Sequence, residues 1–476
     1  MTAGSTVRQA LKYESKSVEY VGQDERHGKA WHLFTVWFTP NMNIVALITG
    51  AIAVELGLSL SWALITIILG NGVGALFMAS HSAQGPRMGL PQMIQSRAQF
   101  GLLGNILPCL ATIFSGVAFT ALGFVLAAQT LNLTIHTSIN VGIVICGVVC
   151  FILIFIGYDV IHRYQRYLSW IVAALYVLWT IQLATTHQAQ ANHPAVTVAN
   201  IVLAISIFAS WQISWAPYVS DYSRYLPRDT PMKSVFWYTF AGSFFSSVWG
   251  MALGAWAAWL SLDKFSSDSL GFMIGLSAAG ALWILALINF LSQIAPTVLE
   301  SYTPFLTVVS IFEPFTKLSK LSGAVGRVIL TLSVVIIGVV LGIITNATGI
   351  VSSAQNYLDV MLYSLAPWTA INLVDYYLIH HGNYSVPDLF DRKGIYKVIN
   401  YRGVIIYLFS VGIEFLFMNS AVFVGPVSHA LGGADIAWIV ALIVAGGLWY
   451  FTRPRAGSTR AEPAASVTGA GAEPVS

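Results

Sequence analysis

The chain has 476 residues, 56% of them hydrophobic and only 9% charged, with a mean hydropathy of +0.72. A soluble globule carries about a quarter charged residues, so this composition excludes that class and leaves a polytopic membrane protein. The formal net charge of +3 does not call for nucleic acid as a partner, and the placement of the charges informs more than their sum.

Residues 1–30 form a polar N-terminal segment of mixed charge. They lack the short apolar core and small-residue cleavage site of a signal peptide, so none is expected. Apolar runs near the roughly 20 residues that cross hydrocarbon then follow at 31–55, 59–80, 102–130, 139–158, 166–184, 198–219, 234–260, 272–303, 327–346, 355–379, 402–424 and 434–452. The tail 453–476 is rich in Ala, Gly, Pro, Ser and Glu and reads as disordered. Twelve spans put both termini on one side, and that side then holds 22 of the 23 Lys and Arg residues, leaving only Lys264 opposite. The positive-inside rule makes that side cytoplasmic, in a multi-pass protein of the plasma (inner) membrane with the lipid bilayer as its surroundings. Cys109, Cys146 and Cys150 all fall in apolar stretches without CxxC or His spacing, so buried thiols are expected, with no metal and no cofactor.

Two spans are interrupted. Span 1 carries Thr39-Pro40-Asn41-Met42-Asn43, and span 6 carries ASWQISWAPY over residues 209–218, with Trp211, Gln212, Ser214, Trp215 and Pro217. Proline removes an amide donor and opens a helix locally. In hydrocarbon each freed backbone group costs several kcal/mol, roughly, unless protein, water or a ligand satisfies it. A single break is often a kink patched by Ser or Thr. Two breaks, five spans apart and each beside amides and tryptophan, match a secondary transporter built from inverted repeats, whose paired discontinuous helices mark the binding site. Asn41, Asn43 and Gln212 each offer a donor and an acceptor, which suits the edge of a planar neutral heterocycle. Trp211, Trp215 and Phe119 offer stacking faces. No basic residue lies within a span interior, so an anionic cargo is not indicated.

Two longer motifs, LPQMIQSRAQFGLLGNILP at 90–108 and SWAPYVSDYSRYLP at 214–227, together with WFTPN in span 1 and APW…DYYL in span 10, resemble the nucleobase:cation symporters of the purine-cytosine permease type. The resemblance covers spans 1 to 10. It implies an all-α fold of the leucine-transporter type: a ten-helix core over 31–379, with repeat one at 31–184 and repeat two at 198–379, plus peripheral helices 11 and 12 over 402–452. It also implies alternating access around a site built by spans 1, 3, 6 and 8. Family contacts fall on Thr39 and Asn41, on Phe119 in span 3, on Trp215 in span 6, and near Asn289, Ser292 and Gln293 in span 8, where Pro296 shapes the helix.

Two positions depart from the family pattern. One turn beyond the span 3 aromatic, where many relatives carry Asn or Gln, this chain has Gly123; where sodium-coupled relatives carry a hydroxyl pair in span 8, it has Ser292-Gln293. The amide resembles proton-coupled relatives, which favours a proton over sodium as the coupling cation. An ionisable residue inside a span is a functional candidate by default. Glu300 and Glu414 are the deepest, Asp359 and Glu55 stand near outer ends, and Glu300 is preferred because it belongs to the core. Asp221 and Arg224, one helical turn apart, suit a mutual pair or a gate.

The expected function is import of a neutral nucleobase, cytosine or a purine, by proton symport. The alternatives are a sodium-coupled carrier of allantoin, a hydantoin, uracil, thiamine or pyridoxine, and, outside that class, a channel or a membrane-embedded enzyme. No HExxH, GxSxG or Walker motif speaks for an enzyme.

Overall fold

The computed structural model describes residues 18–453 apart from 157, 187–195, 277–281 and 317–323. The tail and most of the N-terminal segment lie outside the described residues. Within them the long elements are helices: α1 His32–Asn41, α2 Ile44–Glu55, α3 Leu60–Ser82, α4 Ile106–Ile135, α5 Ile139–Ile156, α6 Tyr158–Thr185, α7 Val198–Ile213, α8 Val219–Ser223, α9 Met232–Leu260, α10 Leu262–Ser267, α11 Ser269–Gly275, α12 Leu282–Phe312, α13 Ala324–Thr348, α14 Ile350–Val374, α15 Tyr401–Glu414, α16 Pro426–Ala430 and α17 Ala437–Phe451. Three short helical stretches, Gly85–Met88, Gln92–Gln95 and Arg97–Phe100, link α3 to α4.

Polar caps set several of these starts. The Asn43 side chain accepts from the Ala46 amide at 3.1 Å to begin α2, Thr197 accepts from Asn200 at 3.1 Å to begin α7, and Asp268 accepts from Gly271 at 2.9 Å to begin α11. Each satisfies an amide that a helix leaves without an intrahelical partner.

Span 1 is α1 plus α2, bent by 62° at Met42-Asn43. Span 6 is interrupted differently. A 3-10 turn over Ala216–Tyr218 joins α7 to α8, Trp215 and Tyr218 amides bond three residues back at 3.2 and 3.3 Å, and the span continues from Val198 to Ser223. Span 6 thus passes Pro217 through a 3-10 turn and keeps its course where span 1 kinks.

The helix pairings obey an exchange of halves. α2 of span 1 packs on α9, and α7 of span 6 packs on α3; α6 packs on α12, and α14 packs on α4; α4 and α12, the counterparts of each other, share the most extensive contact. This is the packing signature of two five-helix repeats. It requires close approach: a Cβ at Gly50 would lie 1.9 Å from the Met251 carbonyl oxygen, and one at Gly254 would lie 1.8 Å from that of Leu47. The α2–α9 contact therefore depends on two glycines that face each other's backbone.

α5 and α13 present their apolar residues outward, including Val141, Val144, Val148, Ile152, Ile329, Ile336, Ile337 and Val340. Such continuous exposed apolar surface belongs in lipid. Five single helices, or six spans when α1 and α2 count as one, are long and apolar enough to cross a bilayer by length and composition among the described residues. α9 falls outside that group because its inward face is Ser and Gly: Gly242, Ser243, Ser246, Ser247, Gly250 and Gly254 are buried there.

Three spans differ from their sequence expectation: span 5, expected at 166–184, begins already at Tyr158 as α6, and spans 8 and 11 depart as well. Span 8 was expected at 272–303, but 269–275 is a separate helix capped by Asp268, and α12 runs from Leu282 to Phe312 through Pro296 and Pro304. Span 11 was expected at 402–424, but α15 stops at Glu414. The Phe417 and Met418 amides turn back onto the Glu414 carbonyl at 2.8 and 2.9 Å, and the Asn419 amide bonds the Asp435 carboxylate at 2.9 Å.

Gly254→Val should disrupt the α2–α9 contact, since overpacking a tight interface costs about 1–3 kcal/mol. The detergent melting temperature should fall, whereas Gly447→Val, at a glycine with open space around it, should leave it in place.

Candidate functional site

The two breaks meet in a polar cluster. Asn41, wholly buried, donates through Nδ2 to the Trp37 carbonyl at 2.7 Å and to Ser243 Oγ at 3.2 Å, and its Oδ1 accepts from Trp211 Nε1 at 2.8 Å. Trp211 Nε1 also reaches Ser247 Oγ at 3.1 Å. Gln212 donates to Asn71 Oδ1 and Ser247 Oγ, both at 3.0 Å, and accepts from Ser243 Oγ at 2.6 Å. Spans 1, 2, 6 and 7 are thus joined by one buried hydrogen-bond network. Asn71, Ser243 and Ser247 were not singled out in the sequence. The signal for the two serines was their i, i+4 spacing on one face of an otherwise apolar helix.

Asn43 has a different job. Its Oδ1 caps α2, its Nδ2 donates to the Pro40 carbonyl at 2.5 Å, and its own carbonyl accepts from Tyr176 Oη of α6 at 2.9 Å. The backbone groups freed at the break are satisfied by protein there. Thr39 Oγ1 likewise bonds back to the Thr35 carbonyl at 3.0 Å.

Beside the polar network stands an aromatic box. Phe119 of α4 stacks on Trp215 with centroids 6.0 Å apart and rings 16° from parallel, and meets Trp211 edge-on at 5.4 Å. Trp37 and Tyr218 meet Trp215 edge-on at 5.6 and 5.5 Å. Span 8 packs along α4, the helix that carries Phe119. Asn289 and Ser292 bond within α12, to the Leu285 and Asn289 carbonyls at 2.9 Å each, and Gln293 donates to Thr297 Oγ1 at 3.4 Å. Four buried polar atoms here have no partner: the donors Trp37 Nε1 and Trp215 Nε1, the Tyr218 hydroxyl, and the acceptor Gln293 Oε1. Gly123 explains its own departure from the family pattern, since a Cβ there would lie 2.1 Å from Thr297 Oγ1.

Glu300 sits in the interior of α12 because that helix extends to residue 312; its side chain is buried within electrostatic reach of Tyr218. That position replaces the expectation of a span ending at 303.

One end of the bundle gathers the basic residues. Arg26 bonds the Pro86 carbonyl, Arg97 bonds those of Ser310 and Leu389 and pairs with Glu313 at 3.0 Å, Arg392 bonds that of Pro314, and Arg402 bonds that of Trp449. Just inside this basic end a continuous chain of side chains closes the bundle. Ser220 donates to Gln92 at 2.6 Å, Gln92 to Gln84 at 3.3 Å, Gln84 to Asn372 at 2.9 Å, Asn372 to Gln99 at 3.3 Å, and Gln99 to Asp375 at 2.6 Å. Asp221 accepts from the Gln92 amide at 2.9 Å, and buried Arg224 donates to Tyr225 Oη at 3.0 Å with its guanidinium 4.9 Å over that ring. Asp221 therefore ties the exit of span 6 to the segment before α4.

A membrane transporter core is the class that this architecture defines: halves that pack by exchange, two interrupted helices at one level, and an aromatic and amide cluster between them. The chain belongs to the family of permeases for cytosine/purines, uracil, thiamine and allantoin, whose sequence profile matches residues 20–441. It is 41% identical over 448 residues to YxlA of Bacillus subtilis (strain 168), a provisionally named purine-cytosine permease, covering 94% of this chain and 97% of that one. It is 26% identical over 463 residues to the purine-cytosine permease FCY2 of Saccharomyces cerevisiae, covering 90% of this chain and 83% of that one. The fold is shared with Mhp1, a nucleobase-cation-symport-1 family transporter solved in a closed conformation with bromovinylhydantoin bound, at a TM-score of 0.72 and 17% identity, over 91% of this chain and 94% of that chain. The family consists of permeases, which removes the enzyme alternative.

Two outcomes follow from this geometry. Ser243→Ala removes the hydroxyl that serves both Asn41 and Gln212, and leaving such buried groups short of a partner costs about 1–3 kcal/mol. A lowered melting temperature in detergent checks it. At the basic end, half-exposed His380 bonds Asp375 Oδ1 at 3.1 Å, which raises its pKa above the ordinary 6.5. Its stabilising contribution is therefore fully present below 6.5 and is lost as pH rises through the higher folded-state value. The melting-temperature gap between wild type and His380→Gln should be widest in acid and close as pH rises.

Proposed function

We propose that this protein imports a neutral nucleobase, cytosine or a purine, by symport with a proton, through alternating access around the cluster of Asn41, Phe119, Trp211, Gln212, Trp215 and Gln293. The observation that carries this reading is the pairing of an aromatic box with unmet hydrogen-bonding atoms, Trp37 Nε1, Trp215 Nε1, Tyr218 Oη and Gln293 Oε1 among them. A flat heterocycle that inserts against Phe119 and Trp215 would meet both donor and acceptor along its edge. The other amides hold each other, so they open to cargo by exchanging partners during the cycle. Thr39, Asn43, Asn289 and Ser292 shape the helices around the site, and Asp221 and Arg224 act in the closure at the basic end.

The names of the relatives support a nucleobase as cargo, and the hydantoin bound to Mhp1 is itself a flat heterocycle. The transport core comprises 31–379, with repeats at 31–184 and 198–379, and helices 11 and 12 lie at its periphery. The basic end faces the cytoplasm, across the plasma (inner) membrane, because that is where the positive-inside rule puts Lys and Arg. Gln293 beside Ser292 supports a proton over sodium, since an amide replaces a hydroxyl ligand. Glu300, buried beside the turn of span 6, is the core carboxyl suited to carry that proton.

Uptake of labelled cytosine or hypoxanthine by cells expressing the protein should be stopped by a protonophore and unaffected when choline replaces sodium. Trp215→Ala and Asn41→Ala should each abolish uptake at normal membrane abundance. Competition by allantoin or thiamine in place of nucleobases, or dependence on sodium, would select the alternative carrier.

A further inference from the structure

Away from the aromatic box, at the end opposite the arginines, three buried carboxyl side chains stand on α14, at the end of α15 and just before α17, helices that pack on one another. Asp359 is 4% exposed, Glu414 0% and Asp435 1%. Glu414 and Asp359 each lie within electrostatic reach of Asp435. Asp435 accepts three hydrogen bonds, from the Asn419 amide at 2.9 Å, the Ala437 amide at 3.0 Å and Tyr363 Oη. The other two lack such support. Both oxygens of Glu414 and Oδ2 of Asp359 have no hydrogen-bond partner, and neither does buried Ser410 Oγ one turn before Glu414 on the same helix face.

No Lys, Arg or His pairs with these carboxyls among the described residues. The remaining titratable groups facing them are Tyr363 of α14 and Tyr407 of α15, which donates to the Ser364 carbonyl at 3.0 Å. α7 contributes only hydroxyls. Carboxyls buried together without a cation cannot all be ionised. A bound metal ion would need convergent ligands, and no group of three acidic, His or Cys side chains among the described residues is arranged to hold one. The ligand that fits is the proton.

These carboxyl positions are also hydrogen-bonded to α7 of span 6. Ser206 Oγ of α7 donates to the Asp435 carbonyl at 3.1 Å and accepts from Trp438 Nε1 at 2.9 Å. One turn further, Ser210 donates to the carbonyl of Leu358, the residue before Asp359. Ser210 directly precedes Trp211 of the candidate cargo site.

We propose that Asp359 and Glu414, beside the hydrogen-bonded Asp435, form a second proton-binding site, distinct from Glu300, whose occupancy sets the position of α7. The binding of protons stands on this geometry; its role in coupling rests on the proton-symport reading.

The test uses the full-length protein in liposomes. Infrared difference spectra across a pH titration, with no cargo present, should show a protonated-carboxyl band in wild type that is lost in the Asp359→Asn, Glu414→Gln double variant. Glu414→Asp should keep the band with a shifted midpoint. Nucleobase accumulation driven by an inward proton gradient should fall in the double variant to its level without a gradient. An unchanged band in the double variant, or an unshifted midpoint in Glu414→Asp if the double variant does not fold, overturns the site. A band that responds as expected in a protein that takes up no nucleobase keeps the site and removes the cargo reading.

Discussion

A backbone carbonyl or amide left without a partner in hydrocarbon costs several kcal/mol, roughly, and Pro40 creates such groups in the middle of span 1. Asn43 is what makes that kink tenable. One end of its amide caps α2, the other holds the Pro40 carbonyl, and its own carbonyl is anchored by Tyr176 across from α6. Because Asn43 meets these demands within the protein, it braces the 62° bend between α1 and α2 as a built corner. The rest of the site hangs on that corner: it brings Asn41 to Trp211, and through Ser243 and Ser247 it brings α9 to both.

The same constraint explains why the two breaks differ. Span 6 closes its break with a 3-10 turn and continues through Ser223, so it needs no counterpart of Asn43. The pseudo-symmetry of the fold lives in the helix pairings, in which α2 on α9 mirrors α7 on α3. It does not extend to the local chemistry at the breaks. A site with one bent and one nearly straight partner is asymmetric by construction: span 6 supplies Trp211 and Trp215 to an aromatic box shared with Phe119 of span 3 and Trp37 of span 1, while the corner comes from span 1.

Much of this was legible in the sequence for physical reasons. Hydrocarbon demands long apolar runs, and proline inside them is conspicuous, so the all-helical class and both breaks could be found. Phe119, Trp211, Gln212, Trp215 and Asn41 do come together. What could not be read was which polar side chains spend their capacity on the protein itself. Asn43 carries the same functional group as Asn41, and only the fold makes it a helix cap. Ser243 and Ser247 are invisible by type because serine is common in membrane helices, and the ends of spans 8 and 11 depended on contacts of Asp268 and Asp435 that composition does not encode.

Gly123 and Gln293, which looked like two separate departures from the family pattern, are physically one. α4 and α12 approach so closely that any side chain at 123 would strike Thr297, so span 3 has no room for an amide one turn beyond Phe119. Thr297 is in turn bonded to Gln293, donating to its carbonyl at 2.7 Å and accepting from its Nε2 at 3.4 Å. The contact that excludes an amide from span 3 thus orients one from span 8, and it leaves Gln293 Oε1 as the free acceptor. Restoring an amide at position 123 alone would force the helices apart, so a change of cargo along that route would require positions 123, 293 and 297 to change together.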